Sequence, residues 1–305
     1  MNDVSMRTRI WLLSGAFAVG AFAQSSGTTI PTSIDAKLVL DAAGPIQRQS
    51  LNAIYLIVCP GVGAGSGFLL DTGTMITNSH VVATCTEKTL VAIGTASKQI
   101  TFSRVITDKD RDLALLVPRD PLANGLKLAD TDSPPPGTQV TTWGYPFVYK
   151  GASPLLSVGY VAGFRNTIPD NAKGKRVKHI IVNGAFNHGN SGGPLLIAQG
   201  NEVVGIVVLT FNFYPAGLKD LIDKLSEEKF GMQWTLTRAD GTKQDVSETQ
   251  LTAGILDEFY QKTQVMIGEA IGVSELRALL KEHSGELPAS VPVDAAPKVS
   301  IERKK

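Results

Sequence analysis

Between about Leu51 and Thr210 the chain is a series of short apolar runs cut by turn residues, with no helical segment among them. That pattern constrains the fold more than any other feature. The first runs are Ala53 to Cys59, Gly67 to Leu70, Thr74 to Thr77, Leu90 to Ile93, Gln99 to Ile106 and Leu113 to Val117. A second set follows at Gln139 to Trp143, Leu155 to Phe164, Arg176 to Val182, Pro194 to Ile197 and Val203 to Thr210. Pro118, Pro121 and Pro134 to Pro136 lie between the sets. Proline cannot donate to a sheet ladder, so residues 118–137 read as a connection between two sheets or barrels. A parallel α/β sheet would need a helix after most strands. The reading is all-β: a sandwich or paired barrels, spanning about residues 45–118 and 138–212 inside a domain of residues 35–228.

After Pro215 the character changes. Ala216 to Lys229 carries apolar residues at 218, 221, 222 and 225, which is helical spacing. Trp234 to Thr237 with a turn at Asp240-Gly241 predicts a hairpin. Ser247 to His283 reads as one or two amphipathic helices broken near Gly272, and Ser247 with Gln250 fits a capping box. Residues 230–285 are thus expected to form a hairpin plus a helical C-terminal extension. That extension could dock on the barrels, mediate homo-oligomerisation or bind a partner; the sequence leaves the three open. Residues 286–305, proline-bearing with a basic end, are expected to be disordered.

The first residues predict export. Arg7 and Arg9 precede an uncharged run from Ile10 to Phe22, and Ala21-Phe22-Ala23 supplies the small residues a signal peptidase needs. Residues 1–23 read as a signal peptide cleaved before Gln24. The rival, a retained anchor, would need roughly 20 apolar residues to span a bilayer. The mature protein is then expected to be periplasmic or extracellular, without stable membrane insertion. A net charge of +1 gives no electrostatic reason to expect a nucleic-acid partner. In an oxidising compartment Cys59 and Cys85 would tend to pair, closing a loop worth about 3 kcal/mol; two buried thiols are the alternative. Neither a metal site nor a cofactor is implied, since two cysteines and four scattered histidines show no ligand spacing.

The chemistry concentrates in His188-Gly189-Asn190-Ser191-Gly192-Gly193-Pro194-Leu195. Glycines beside a serine let the backbone turn sharply, so that neighbouring N–H groups aim at one point. The N–H groups of Gly189 and Ser191 are the expected oxyanion donors. Serine needs a base to become nucleophilic, and only His80, His179, His188 and His283 are available. His283 lies in the C-terminal helical region, His179 reads as a surface residue on a strand, and His188 shares the serine's turn, where it would face solvent or a substrate subsite. His80, at the end of the run Thr74 to Thr77, is held where a base must be. Among Asp108, Asp110 and Asp112, only Asp112 leads directly into an apolar strand, so it is the carboxylate expected to orient the imidazole. Asp108 and Asp110, beside Lys109 and Arg111, read as solvated turn residues.

Gly65-Ser66-Gly67-Phe68, Thr77-Asn78-Ser79-His80-Val81-Val82, Asp112-Leu113-Ala114-Leu115 and Gly189-Asn190-Ser191-Gly192-Gly193-Pro194 together resemble the motif set of trypsin-like (chymotrypsin-fold) serine peptidases, most of all the bacterial HtrA/Deg branch. The likeness covers roughly residues 50–228. It implies two packed six-stranded antiparallel β-barrels, with His80 and Asp112 from the first, Ser191 from the second and the site in the cleft between them. It also implies a secreted serine endopeptidase acting on polypeptides through an acyl-enzyme. Cys59 and Cys85 stand near positions that are disulfide-linked in digestive members of the family. Asn190 replaces the aspartate those enzymes use on activation, so removal of the leader alone would suffice. Ala185, six residues before the serine, stands where enzymes cutting after Lys or Arg have an aspartate. A pocket without that acid should prefer small or medium apolar side chains. Val207, Val208, Leu209 and Thr210 resemble the strand that pairs with substrate backbone. HtrA proteins usually continue into a PDZ domain, and residues 230–305 lack the run of strands one requires. A second function class is a catalytically silent, protease-fold peptide-binding protein of the cell envelope.

Overall fold

The structure is a computed structural model and describes residues 34–60, 63–146, 153–167, 176–187, 189–210, 217–237, 241–262 and 266–288. The expected signal peptide, the C-terminal tail from residue 289 and His188 lie outside the described residues. The chain divides into two compact units: residues 27–213 joined by 264–305, and a second that contains 214–263.

Two short helices, α1 (Lys37–Ala42) and α2 (Pro45–Asn52), lead into the first barrel. Pro45 opens α2, where a missing N–H costs nothing. Then come β1 (Ile54–Cys59), β2 (Gly63–Leu69), β3 (Met75–Thr77), the single turn α3 (Ser79–Val82), β4 (Val91–Gly94), β5 (Gln99–Ile100), β6 (Phe102–Asp108) and β7 (Leu113–Pro118). The strand order is β5-β4-β1-β2-β3-β7-β6. The two outermost strands are one stretch of chain interrupted at Thr101, so both edges of the sheet meet in the same segment. Seven pieces therefore curl as six strands would, into a nearly closed barrel. Strand β1 is buried along its whole length. Tyr55 and Ile57 face the barrel interior with Met75, Phe102 and Leu116. Ile54, Leu56 and Val58 face the layer shared with Trp143, Tyr145 and Leu196. A strand covered on both faces reads as an unbroken apolar run rather than an alternating one, as Ile54 to Cys59 does.

The second barrel begins with β8 (Gln139–Gly144), β9 (Leu155–Thr167), β10 (Val177–Asn183), β11 (Pro194–Ile197) and β12 (Val203–Thr210). It closes in the order β10-β15-β12-β11-β8-β9. Its sixth strand, β15 (Gly268–Gly272), comes from beyond the second unit, which comprises α4 (Leu218–Glu227), β13 (Gln233–Thr237), β14 (Lys243–Ser247) and α5 (Glu248–Lys262). Helix α6 (Val273–Glu282) follows β15 directly. In the second unit β13 and β14 form the expected hairpin, and Ser247 and Gln250 exchange the two capping-box hydrogen bonds at 3.1 and 3.2 Å.

The stretch from 247 to 283 is thus not helical throughout. Residues 268–272 form a buried strand that pairs with both β10 and β12. Five residues, Gly-Glu-Ala-Ile-Gly, show no apolar alternation, and the helical periodicity on either side masks them. What is helical after them, α6, packs Leu276 and Leu279 into the shared core.

Strand β15 is held by an ionic group as well as by its ladder. Glu269 is 1% exposed. Its Oε2 lies 3.0 Å from Nδ1 of His179 on β10 and its Oε1 2.7 Å from Nη2 of Arg165 on β9. His179, read from sequence as a surface residue, is therefore buried. Burial opposes ionisation of Glu269, but the hydrogen bond from His179 and the Arg165 guanidinium outweigh it and hold the carboxyl below its ordinary range. A carboxyl depressed on folding contributes stability that is complete above its unfolded pKa of about 4.3 and lost as pH falls through the lower folded value. Urea unfolding as a function of pH should show this loss below about pH 4.3, and Glu269→Gln should remove part of the pH dependence while lowering stability at neutral pH.

Candidate active site

Strand β3 ends at Thr77, and the chain passes through extended Asn78 into α3, which carries His80 on its first turn. Asp112 precedes β7 with φ of +54°, a left-handed conformation that few residues other than glycine adopt. Three contacts hold it there. Asn78 Nδ2 donates to its carbonyl at 2.9 Å, the His80 backbone N–H donates to Oδ1 at 2.9 Å, and Oδ2 lies 2.7 Å from His80 Nδ1. An ionised carboxylate only accepts hydrogen bonds, so Nδ1 carries the proton and Nε2 is left as the ring's acceptor. The imidazole is half-exposed and its carboxylate partner less so.

From the second barrel comes the turn at 189–193. Asn190 N–H donates to the Asn187 carbonyl and Gly193 N–H to that of Asn190, both at 2.9 Å. Gly189 and Gly192 have φ of +101° and +86°. At Gly192 a side chain is barred twice, by backbone angle and by space: a Cβ would lie 2.1 Å from the Ser66 carbonyl oxygen and 2.2 Å from Thr77 Oγ1.

This turn docks on the first barrel through Ser66 of β2, which is fully buried. Its hydroxyl donates to the Gly189 carbonyl at 2.6 Å and accepts from Tyr145 N–H at 3.0 Å. Its N–H donates to the Ser191 carbonyl at 2.8 Å, and its own carbonyl accepts from Thr77 Oγ1 at 2.8 Å. A Cβ placed at Gly65 would touch both Val81, next to His80, and the Ser191 carbonyl oxygen. The Ser191 turn and the His80 helix therefore face each other across β2.

The Ser191 hydroxyl donates to the Val208 carbonyl at 2.9 Å rather than to His80. The N–H groups of Gly189 and Ser191 donate to no acceptor among the described residues. Strand β12 outruns its neighbour: pairing with β11 stops at Pro194↔Ile206, whereas pairing with β15 continues to Thr210↔Gly268. Val207 is buried, and both its backbone polar groups are bonded to Gly192 and Gly193. Beyond Val207 no further strand pairs along the edge away from β15 among the described residues, and the Val208 carbonyl there accepts only the Ser191 hydroxyl. Ala185 is half-buried, and the neighbouring Phe186 ring packs on Gly268, where a Cβ would lie 2.1 Å from the ring. Asn190 is buried, with Oδ1 unpartnered among the described residues. Cys59 at the end of β1 and Cys85 behind α3 form a disulfide with Cα atoms 5.7 Å apart, tying the His80 segment to the sheet. No group of His, Cys, Asp or Glu among the described residues could hold a metal ion.

Paired β-barrels with a His–Asp pair on one and a glycine-flanked serine on the other resemble the arrangement of trypsin-like serine peptidases, and residues 65–206 match the trypsin-like peptidase domain. Within that class the chain resembles the HtrA/Deg-like proteases. It is 32% identical over 166 residues to "Protease Do-like 1, chloroplastic" of Arabidopsis thaliana, a match covering 52% of this chain and 36% of the relative. It is 36% identical over 143 residues to a "Probable periplasmic serine endoprotease DegP-like" of Pseudomonas putida, covering 47% and 28%. The match thus spans well under half of either relative's length. The active form of the Rv3671c protease from M. tuberculosis shares the fold, with a TM-score of 0.52, 19% identity and coverage of 86% and 90%.

In the sequence Ser66 and Asn78 stand within motifs but show no task of their own, and Glu269 stands in no motif at all. The signal for Ser66 was its place between Gly65 and Gly67, where a small polar residue in a strand marks a close backbone approach. Ser66→Ala leaves the Gly189 carbonyl and the Tyr145 N–H without their buried partner. It should cost about 2–3 kcal/mol in urea denaturation.

Proposed function

We propose that this chain is an exported serine endopeptidase that hydrolyses polypeptides through an acyl-enzyme on Ser191. The two-point contact between His80 and Asp112 carries the reading, because it fixes the imidazole tautomer in which Nε2 can accept a proton. Rotation of the Ser191 hydroxyl away from the Val208 carbonyl would deliver its hydrogen to Nε2. As the Ser191 Oγ bonds to the scissile carbonyl carbon, His80 takes the Oγ proton and Asp112 stabilises the resulting imidazolium. The carbonyl oxygen becomes negative beside the N–H groups of Gly189 and Ser191. The C–N bond then breaks, and His80 passes the proton to the departing amine. Water, deprotonated by His80, releases the acid and restores Ser191.

The open edge at Val208, Leu209 and Thr210 suits an extended substrate added as a further strand beside Ser191. His188 would face a neighbouring subsite. With Ala185 in place of an acid and Phe186 filling the space above Gly268, the pocket for the residue before the scissile bond favours small or medium apolar side chains. Profiling that found cleavage mainly after Arg would contradict this preference. Export is supported by the N-terminal sequence and by the periplasmic description of the Pseudomonas relative. No helix among the described residues is long and apolar enough to cross a membrane.

A serine-directed fluorophosphonate should label Ser191 in the purified protein, and Ser191→Ala should abolish casein hydrolysis, a loss on the order of 10⁶-fold in kcat. Peptide binding without labelling or turnover would instead identify a silent protease-fold binder.

A further inference from the structure

Arg111, immediately before Asp112, looks in sequence like one charge in a solvated run. In the fold it is 5% exposed, and three carboxylates surround it. Its backbone N–H donates to Asp108 Oδ1 at 3.0 Å, and its Nη1 bonds the other oxygen of Asp108. Its Nη1 and Nη2 reach Glu282 Oε2 and Oε1 at 2.9 and 2.5 Å, a bidentate fork. Its Nε lies 3.4 Å from Glu275 Oε2. Asp108, itself read as solvated, is thus a half-buried ion-pair partner. The hydrogen bond that the guanidinium donates to Glu282 leads the causes that raise it above its ordinary range despite burial.

Glu275 and Glu282 both belong to α6, seven residues and about two turns apart, so they lie on one face. That helix packs on the second barrel through β12 and β15, with Val273, Leu276 and Leu279 buried. Ser274 of α6 also bonds Asp132, which Lys178 of β10 holds at 2.7 Å. The residue before Asp112 is therefore grasped by an element fastened to the barrel that carries Ser191, while the residue after it, Leu113, is locked in the core. Replacing such a buried ionic cluster by apolar side chains is often neutral or stabilising, so stability alone gives little reason for it. Its geometric effect is specific: it pins the backbone on one side of Asp112, which Asn78 and His80 hold from the other.

We propose that Arg111, gripped by Glu282 and Glu275 of α6, is a positioning residue that sets Asp112, and through it His80, relative to the barrel bearing Ser191. This rests on the peptidase reading of His80, Asp112 and Ser191. Because Glu282 is half-exposed, Glu282→Gln should fold, and it serves beside Arg111→Lys as the second variant. Rates are taken per site, after titrating the active fraction with fluorophosphonate. Misplacement of a catalytic group by about 1 Å can cost about 100-fold, so Arg111→Lys should lower the per-site rate about 10- to 100-fold and Glu282→Gln about 3- to 10-fold. The downfield NMR signal of the proton on His80 Nδ1 should shift or broaden in both variants. A smaller titratable fraction with unchanged per-site rate and Nδ1 signal would reduce Arg111 to a structural residue and overturn the proposal. If the unmodified protein were not labelled at Ser191, the peptidase reading would fail, and the Nδ1 signal alone would still decide whether Arg111 positions Asp112.

Discussion

One buried serine joins the two halves of the site. Ser66 uses its N–H, carbonyl and hydroxyl at once: two bonds to the Ser191 turn, one from the strand leading to His80, and one from Tyr145 at the end of β8. A buried hydroxyl with both donor and acceptor satisfied is held in one orientation. The chain can therefore fix the relation between residues 80 and 191, far apart in sequence, with a side chain of two heavy atoms. A larger side chain would part the barrels, and an apolar one would leave backbone groups stranded.

Around this hub, each catalytic candidate is fixed by something other than its own strand. Asp112 is held by Asn78, by the His80 backbone and ring, and by its place between Arg111 and Leu113. The His80 segment is tied back by the Cys59–Cys85 disulfide. The Ser191 turn leans on Ser66 and needs glycine at 192. The common logic is support from a neighbouring element, which keeps short loops accurate without making the strands themselves unusual.

Much of this was legible along the chain because it is local. The apolar run from Ile54 to Cys59 betrays a strand buried on both faces, and His80, Asp112 and Ser191 each sit in a short stretch whose glycines or strand edges can be read directly. What stayed hidden was long-range. Arg111 and Asp108 look like a solvated charge run until α6, more than 160 residues later, brings Glu282 to them. Strand β15 hides because five residues bearing a glutamate have no periodicity, and Glu269 becomes a core residue only once His179 and Arg165 meet it. In each case the deciding partner is remote in sequence, and local pattern carries no trace of it.

The placement of β15 after a separate compact unit has a consequence for how the molecule is made. Synthesis delivers every strand of the first barrel by residue 118, yet the second remains a sheet with two raw edges, on β10 and β12, until residues 268–272 emerge. A nascent chain halted at the end of α5 would expose those edges, the kind of surface that invites pairing between molecules. The wall behind the Ser191 turn is completed only by a strand at residues 268–272, so biosynthesis itself postpones assembly of the cleft.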